Sequence, residues 1–183
     1  MGWYYGWDSR ECMVRHLLAQ EGGSSEVIDH SLVGNNLWML LRRKADGFRF
    51  IVLCLIRSNR ADGWGYNDVE ESCGPAEVDC PERLLAQSDV IDEMAMRWRQ
   101  RCRDARTLRA KQRRFLAQLK EGDLFLVGDR IIECTGVHEY KSCFRKRKQI
   151  TIFGKQQDTH DVYRWKSCWI RPVGATTTST QPA

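Results

Sequence analysis

Two apolar runs, Leu37 to Arg43 and Phe48 to Arg57, flank a short connection that contains Asp46-Gly47. An Asp-Gly pair between such runs is a strong hairpin signal, because both residues tolerate the positive φ that a tight turn demands. This part of the chain is therefore committed to an antiparallel sheet. Val27 to Val33 is rich in the same residue types and is expected to join it. A sheet of this kind has to bury at least one face. The cover is expected from upstream, where Asp8-Ser9-Arg10-Glu11 has the form of a capping box with Asp8 as N-cap. The helix so opened runs to about Gln20, buries Cys12, Leu17 and Leu18, and ends at Glu21-Gly22-Gly23-Ser24-Ser25.

From Ser58 to Pro81 the periodicity stops, which reads as a long loop holding Trp64 and Tyr66 beside Asp62, Asp68, Glu70 and Glu71. Pro81 then opens a short helix through Leu84, Leu85 and Ala86. A long helix is expected from about Val90 to Leu119, with Met94, Trp98, Cys102, Ala105, Leu108, Phe115 and Leu119 as its apolar stripe. Short strands follow at Leu124–Val127, Arg130–Thr135, Gln149–Phe153, Val162–Trp165 and Cys168–Arg171, enough for a small curved sheet or barrel. The tail 175–183 has nothing to bury and is expected to be disordered. The expected fold is α+β: an acidic helix–sheet unit (1–90), a basic helix (91–119) and a small β module (120–174).

Charge is divided unevenly along the chain. Residues 1–96 carry 9 Lys/Arg against 16 Asp/Glu, and residues 97–183 carry 20 against 8. Asymmetry of this kind points to nucleic-acid or membrane contact by the basic part. No apolar run reaches bilayer-spanning length, and the start lacks the basic and apolar regions of a secretory signal. A cytoplasmic protein without membrane association is expected. In a reducing compartment the eight cysteines read as scattered free thiols.

The cations concentrate in two places. Arg97, Arg99, Arg101, Arg103, Arg106, Arg109, Lys111, Arg113 and Arg114 fall within one helix with only Asp104 among them. Such a cluster repels itself unless an anion neutralises it. A phosphate backbone does so with counterion release, and arginine suits bidentate phosphate contact. The rival reading is neutralisation by the chain's own acidic half. The second cluster is Lys141-Ser-Cys-Phe-Arg145-Lys146-Arg147-Lys148, with Tyr140 and Phe144 available for base stacking. The expected nucleic-acid contacts are Arg99, Arg103, Arg106, Arg109, Lys111, Arg113 and Arg114 on the helix, and Arg145, Lys146, Arg147 and Lys148 in the second cluster. DNA and RNA remain alternatives, as does a host protein in place of either, and no oligomeric state is legible.

Trp64, Tyr66, Asp68, Glu70 and Glu71 form a second candidate set. Clustered carboxylates can hold a divalent cation or do acid–base work. The nuclease pattern of an acidic residue two before a lysine on a strand is missing, however, and a loop pinned by its own aromatics explains the same residues. The cysteine and histidine spacings do not match structural zinc sites. Nucleotide-binding loops and hydrolase elbows are also missing. No cofactor, metal or catalytic residue is expected, and a metal-dependent hydrolase stands behind the two binding readings.

Met1-Gly-Trp-Tyr-Tyr-Gly-Trp-Asp-Ser-Arg10, together with Gly63-Trp-Gly-Tyr-Asn-Asp-Val-Glu-Glu-Ser72 and Gly74-Pro75, resembles an uncharacterised family of prophage and mobile-element proteins. The likeness covers mainly residues 1–90. It implies a phage or plasmid setting and assigns no activity or catalytic residue; an accessory or counter-defence factor that meets a host protein is the alternative to nucleic-acid binding. Leu119-x-x-Gly122-Asp123 leading into short strands is similar to small SH3-like barrels, some of which bind RNA or DNA.

Overall fold

The hairpin around Asp46-Gly47 is present in the computed structural model, which describes residues 2–19, 23–89, 92–141, 148–156, 162–166 and 170–173. The fold is α+β, in two compact units, residues 1–106 and 107–183. Among the described residues no helix is long and apolar enough to cross a membrane.

The first unit is built on a five-stranded antiparallel sheet, in the order β1-β5-β4-β3-β2. Its strands are β1 (Tyr4–Trp7), β2 (Ser25–Val33), β3 (Asn36–Arg43), β4 (Arg49–Asn59) and β5 (Gly63–Glu70). Helix α1 (Arg10–Ala19) covers one face with Met13 and Leu17, packed on Leu37, Met39, Leu41, Val52, Cys54 and Ile56. The other face, for which the sequence suggested no cover, is also buried. There Trp38, Leu40, Ile51 and Leu53 meet Cys80, Leu84 and Leu85 of the 74–86 segment, which includes α2 (Glu82–Leu85), and Trp98 and Cys102 of α3 (Glu93–Gln118). Burial on both sides explains why Leu37–Leu41 is a continuous apolar run without the alternation of a half-exposed strand. Trp38 and Trp98 lie with ring centroids 5.6 Å apart. Their indole N–H groups donate to Asp79 (3.1 Å) and to the Glu77 carbonyl (3.0 Å), so neither leaves a buried donor unpaired.

Several expectations need correction here. Ser9, not Asp8, caps α1: its Oγ accepts from the Cys12 N–H at 3.1 Å. That start turns Met13 into the core and leaves Cys12 exposed. The supposed loop 58–81 is largely ordered structure: β4 continues to Asn59, β5 spans Gly63–Glu70, and a 3-10 turn occupies Glu71–Cys73. On α3, Met94 and Leu108 are exposed, and Ala95 takes the core position beside Trp98 and Cys102. The division between units falls inside α3, whereas the sequence suggested a separate helical module.

The second unit holds another five-stranded antiparallel sheet, ordered β10-β6-β7-β8-β9. Its strands are β6 (Leu124–Val127), β7 (Arg130–Lys141), β8 (Lys148–Gln156), β9 (Val162–Lys166) and β10 (Ile170–Pro172). The core is Phe125, Ile132, Cys134, Ile152 and Ile170, closed by Leu116 and Leu119 from the end of the helix and just beyond it. A turn after α3 is fixed by Asp123, whose carboxylate accepts from the Lys120 N–H and whose carbonyl accepts from the Cys134 N–H, both at 2.8 Å. The expected tail 175–183 lies outside the described residues.

Candidate nucleic-acid interface

Helix α3 carries the expected cations, but they divide into two groups. Within the first unit nearly every one has a partner. Arg97 pairs with Glu93 one turn back at 2.5 Å. Arg99 is only 6 % exposed and forms a fork-to-fork pair with fully buried Glu71, at 2.6 and 2.9 Å. Its remaining donors reach the carbonyls of Ser88 (3.4 Å) and Asp89 (2.6 Å), and Glu71 also accepts the Ile51 N–H at 2.9 Å. Arg99 is therefore withdrawn from the set of phosphate contacts, because its guanidinium is buried and its hydrogen bonds are spent internally. Arg103 and Arg106 share Glu82, Arg103 at 3.1 Å, and Arg106 also donates to the Cys80 carbonyl at 2.8 Å.

Partial burial by itself would raise the Glu82 carboxyl, but the hydrogen bonds and charges of Arg106 and Arg103 hold it below its ordinary value of 4.5. A depressed carboxylate contributes stability above its unfolded pKa and loses it as pH falls through the lower folded value. Glu82→Gln should therefore be less stable than the parent at pH 7, by the ~0.2–1 kcal/mol typical of exposed pairs. The two proteins should converge well below pH 4.5. Parallel thermal melts at pH 7 and pH 3 check this; a gap that persists at pH 3 would show that charge is not the cause.

Beyond Arg106 the pattern changes. Arg109, Lys111, Arg113 and Arg114 are exposed, and none has an ion-pair partner among the described residues. Arg109 and Arg113 are neighbours on the helix surface at i,i+4, a spacing that costs a few tenths of a kcal/mol when both charges have the same sign, roughly 0.2–0.5 kcal/mol. Residues 107–183 carry 15 Lys/Arg against 7 Asp/Glu, a balance of +8, whereas residues 1–106 carry 14 against 17. Of the second cluster, Arg145, Lys146 and Arg147 lie outside the described residues, while Lys141 and Lys148 are in register across β7 and β8.

The aromatic and acidic candidates are also redistributed. Trp64 and Tyr66 pack half-buried against the α1 face of the sheet. Asp68 and Glu70 share that face at the next two alternate positions of β5 and are exposed. Glu71 belongs to the opposite face with Arg99, so the three carboxylates do not form one site. Asp62 accepts from Asn59 Nδ2 at 2.6 Å in the β4–β5 turn. Among the described residues no three His, Cys, Asp or Glu side chains are placed to hold a metal ion together.

One arrangement escaped the sequence reading altogether. The Arg57 guanidinium lies 3.5 Å over the Trp3 ring and 5.5 Å from Tyr5, to whose hydroxyl it donates. The two rings are themselves stacked at 6.0 Å. The partners are more than fifty positions apart, so only the pairing of β1 with β5 brings them together. Comparison with protein-family models, with curated proteins and with solved structures gives no match.

Proposed function

We propose that this protein is a non-catalytic nucleic-acid-binding protein whose contact surface is the second-unit half of α3. The observation that carries this reading is the division of the arginine helix. Carboxylates of the first unit neutralise Arg97, Arg99, Arg103 and Arg106, whereas Arg109, Lys111, Arg113 and Arg114 stand exposed without a countercharge among the described residues. Self-neutralisation accounts for the first group and leaves the second unexplained. A phosphate backbone supplies the missing anions, and release of its condensed counterions supplies the free energy. Readout of sequence would require contacts to base edges, and none is assigned.

The test is a salt titration of binding to duplex and single-stranded oligonucleotides. Changing Arg109, Lys111, Arg113 and Arg114 together to Gln should weaken binding at least about tenfold. It should also flatten the log–log salt slope by up to ~0.9 per lost duplex phosphate contact. Arg103→Gln with Arg106→Gln should leave affinity nearly unchanged, because those cations are already committed to Glu82. Salt-insensitive binding, or equal loss in both variants, would remove the basis for this assignment.

A further inference from the structure

Helix α1 is short and covers only part of its face of the first sheet. Past Leu17 the face opens into a cleft of about 390 Å³, lined by Leu17, Met39, Leu41, Phe50, Val52 and Cys54 along its floor. An adjoining cavity of about 300 Å³ shares Ser24, Ser25, Phe50 and Glu70 with it. The floor is preformed: Met39, Leu41, Val52 and Cys54 are each 6 % exposed or less and held by the core. The rim is polar, with Tyr66, Asp68 and Glu70 from β5 facing Ser24 and Ser25.

The charges at this rim are unbalanced. Asp68 stands opposite Cys54 and Glu70 opposite Val52 in the β4–β5 register, which sets both carboxylates above the apolar floor. Neither has a basic partner among the described residues; Glu70 accepts only the Ser72 hydroxyl, at 3.4 Å. Among the described residues no Lys or Arg lines the main cleft. Arg43, at the adjoining cavity, is paired with Asp46 and lies over the Phe48 and Phe50 rings. Burial, with Cys54 and Asp68 next to it, raises the Tyr66 phenol, so the ring stays neutral. The Tyr66 ring can therefore face a cation. Ligand sites are commonly clefts of this size, mostly apolar with a few convergent polar groups.

We propose that this cleft binds a small organic cation, an ammonium or guanidinium group on an apolar body. The apolar body lies on Met39, Leu41, Phe50 and Val52, and the cation meets Asp68 and Glu70 at the rim. An anion of the same shape is repelled by both carboxylates, and a neutral isostere gains only the floor. The site belongs to the first unit and is independent of the basic helix surface.

Three probes with the same phenylethyl body test it on the full chain: 2-phenylethylammonium, its neutral isostere 2-phenylethanol and the anion 3-phenylpropionate, titrated calorimetrically and followed by methyl NMR of Met39 and Val52. The ammonium should bind at least about tenfold more tightly than either of the other two, a difference of ~1.4 kcal/mol. Its binding should shift the Met39 and Val52 methyls. Asp68→Asn with Glu70→Gln should abolish that preference while leaving binding of 2-phenylethanol unchanged. The parent's melting temperature should be kept, since neither carboxylate has a charged partner to lose. Equal affinity for the three probes, an unaltered ammonium affinity in the double variant, or shifts confined to methyls elsewhere would overturn the proposal. A lysine-rich peptide that binds where 2-phenylethylammonium does not would overturn it as well.

Discussion

Glu71→Ala destabilises the first unit by about 3–5 kcal/mol, as expected when one member of a buried ion pair is removed. Urea unfolding followed by the fluorescence of buried Trp38 and Trp98 measures it. The size follows from what remains behind. Arg99 keeps its charge at 6 % exposure with only the carbonyls of Ser88 and Asp89 as acceptors, and the Ile51 N–H loses its acceptor inside β4. Glu71 thus joins the end of β5 and the backbone of β4 to α3 through one carboxylate, and Arg99 carries the link on to the 88–89 segment. A double replacement, Glu71→Leu with Arg99→Met, should recover most of the loss, because a buried pair exchanged for packed apolar side chains is commonly neutral or better. The non-additivity isolates the pair from the two separate truncations. A single-variant cost under about 1 kcal/mol would mean that solvent reaches Arg99 and that this node does not hold the unit together.

The same pair shows where reading from sequence reaches its limit. The hairpin at Asp46-Gly47, the helix over most of 93–118 and the strand-rich remainder follow from local signals, because turn chemistry and periodicity act over a few residues. The partner of Arg99 does not, since Glu71 and Arg99 meet on one face of the sheet at a separation of 28 residues. Sequence therefore assigned both to functional sets, Arg99 to phosphate contact and Glu71 to an acidic loop, although each exists to neutralise the other. Glu82 is a similar case: on the sequence it is a helix-start carboxylate, and only the packing of α2 beside α3 makes it the counterion of Arg103 and Arg106. What local reading retained is the set of four cations Arg109, Lys111, Arg113 and Arg114, for which the structure supplies no ion-pair partner among the described residues. The cleft was half legible: its rim, Tyr66, Asp68 and Glu70, stood out as an unusual block, while its floor comes from strands that read only as core.

Strand β1 was missed because four residues rich in Tyr and Trp carry no period, yet it explains the block that drew attention in β5. The register places Tyr4 opposite Tyr66, Tyr5 opposite Gly65 and Trp7 opposite Trp64, so the two aromatic blocks are strand partners. A Cβ at Gly65 would lie 2.4 Å from the Tyr4 carbonyl oxygen and 2.4 Å from Cδ1 of Tyr5, and one at Gly63 would lie 2.7 Å from the Trp7 carbonyl oxygen. Those oxygens are backbone atoms and cannot swing aside. Gly65→Ala should therefore push β1 off the sheet at a cost of about 1–3 kcal/mol or more. Loss of β1 also releases the Arg57 stack on Trp3 and Tyr5 and uncovers Tyr66. Tryptophan emission should move to the red and become more quenchable by iodide, with the far-ultraviolet signal nearly unchanged. A chain begun at Asp8 distinguishes the cause: without β1 there is nothing for the new methyl to strike, so Gly65→Ala should there cost no more than ~0.5 kcal/mol, the scale of an ordinary surface change. An equal cost in both backgrounds would place the conflict within β5 itself and deny the glycine its role as the seat of β1.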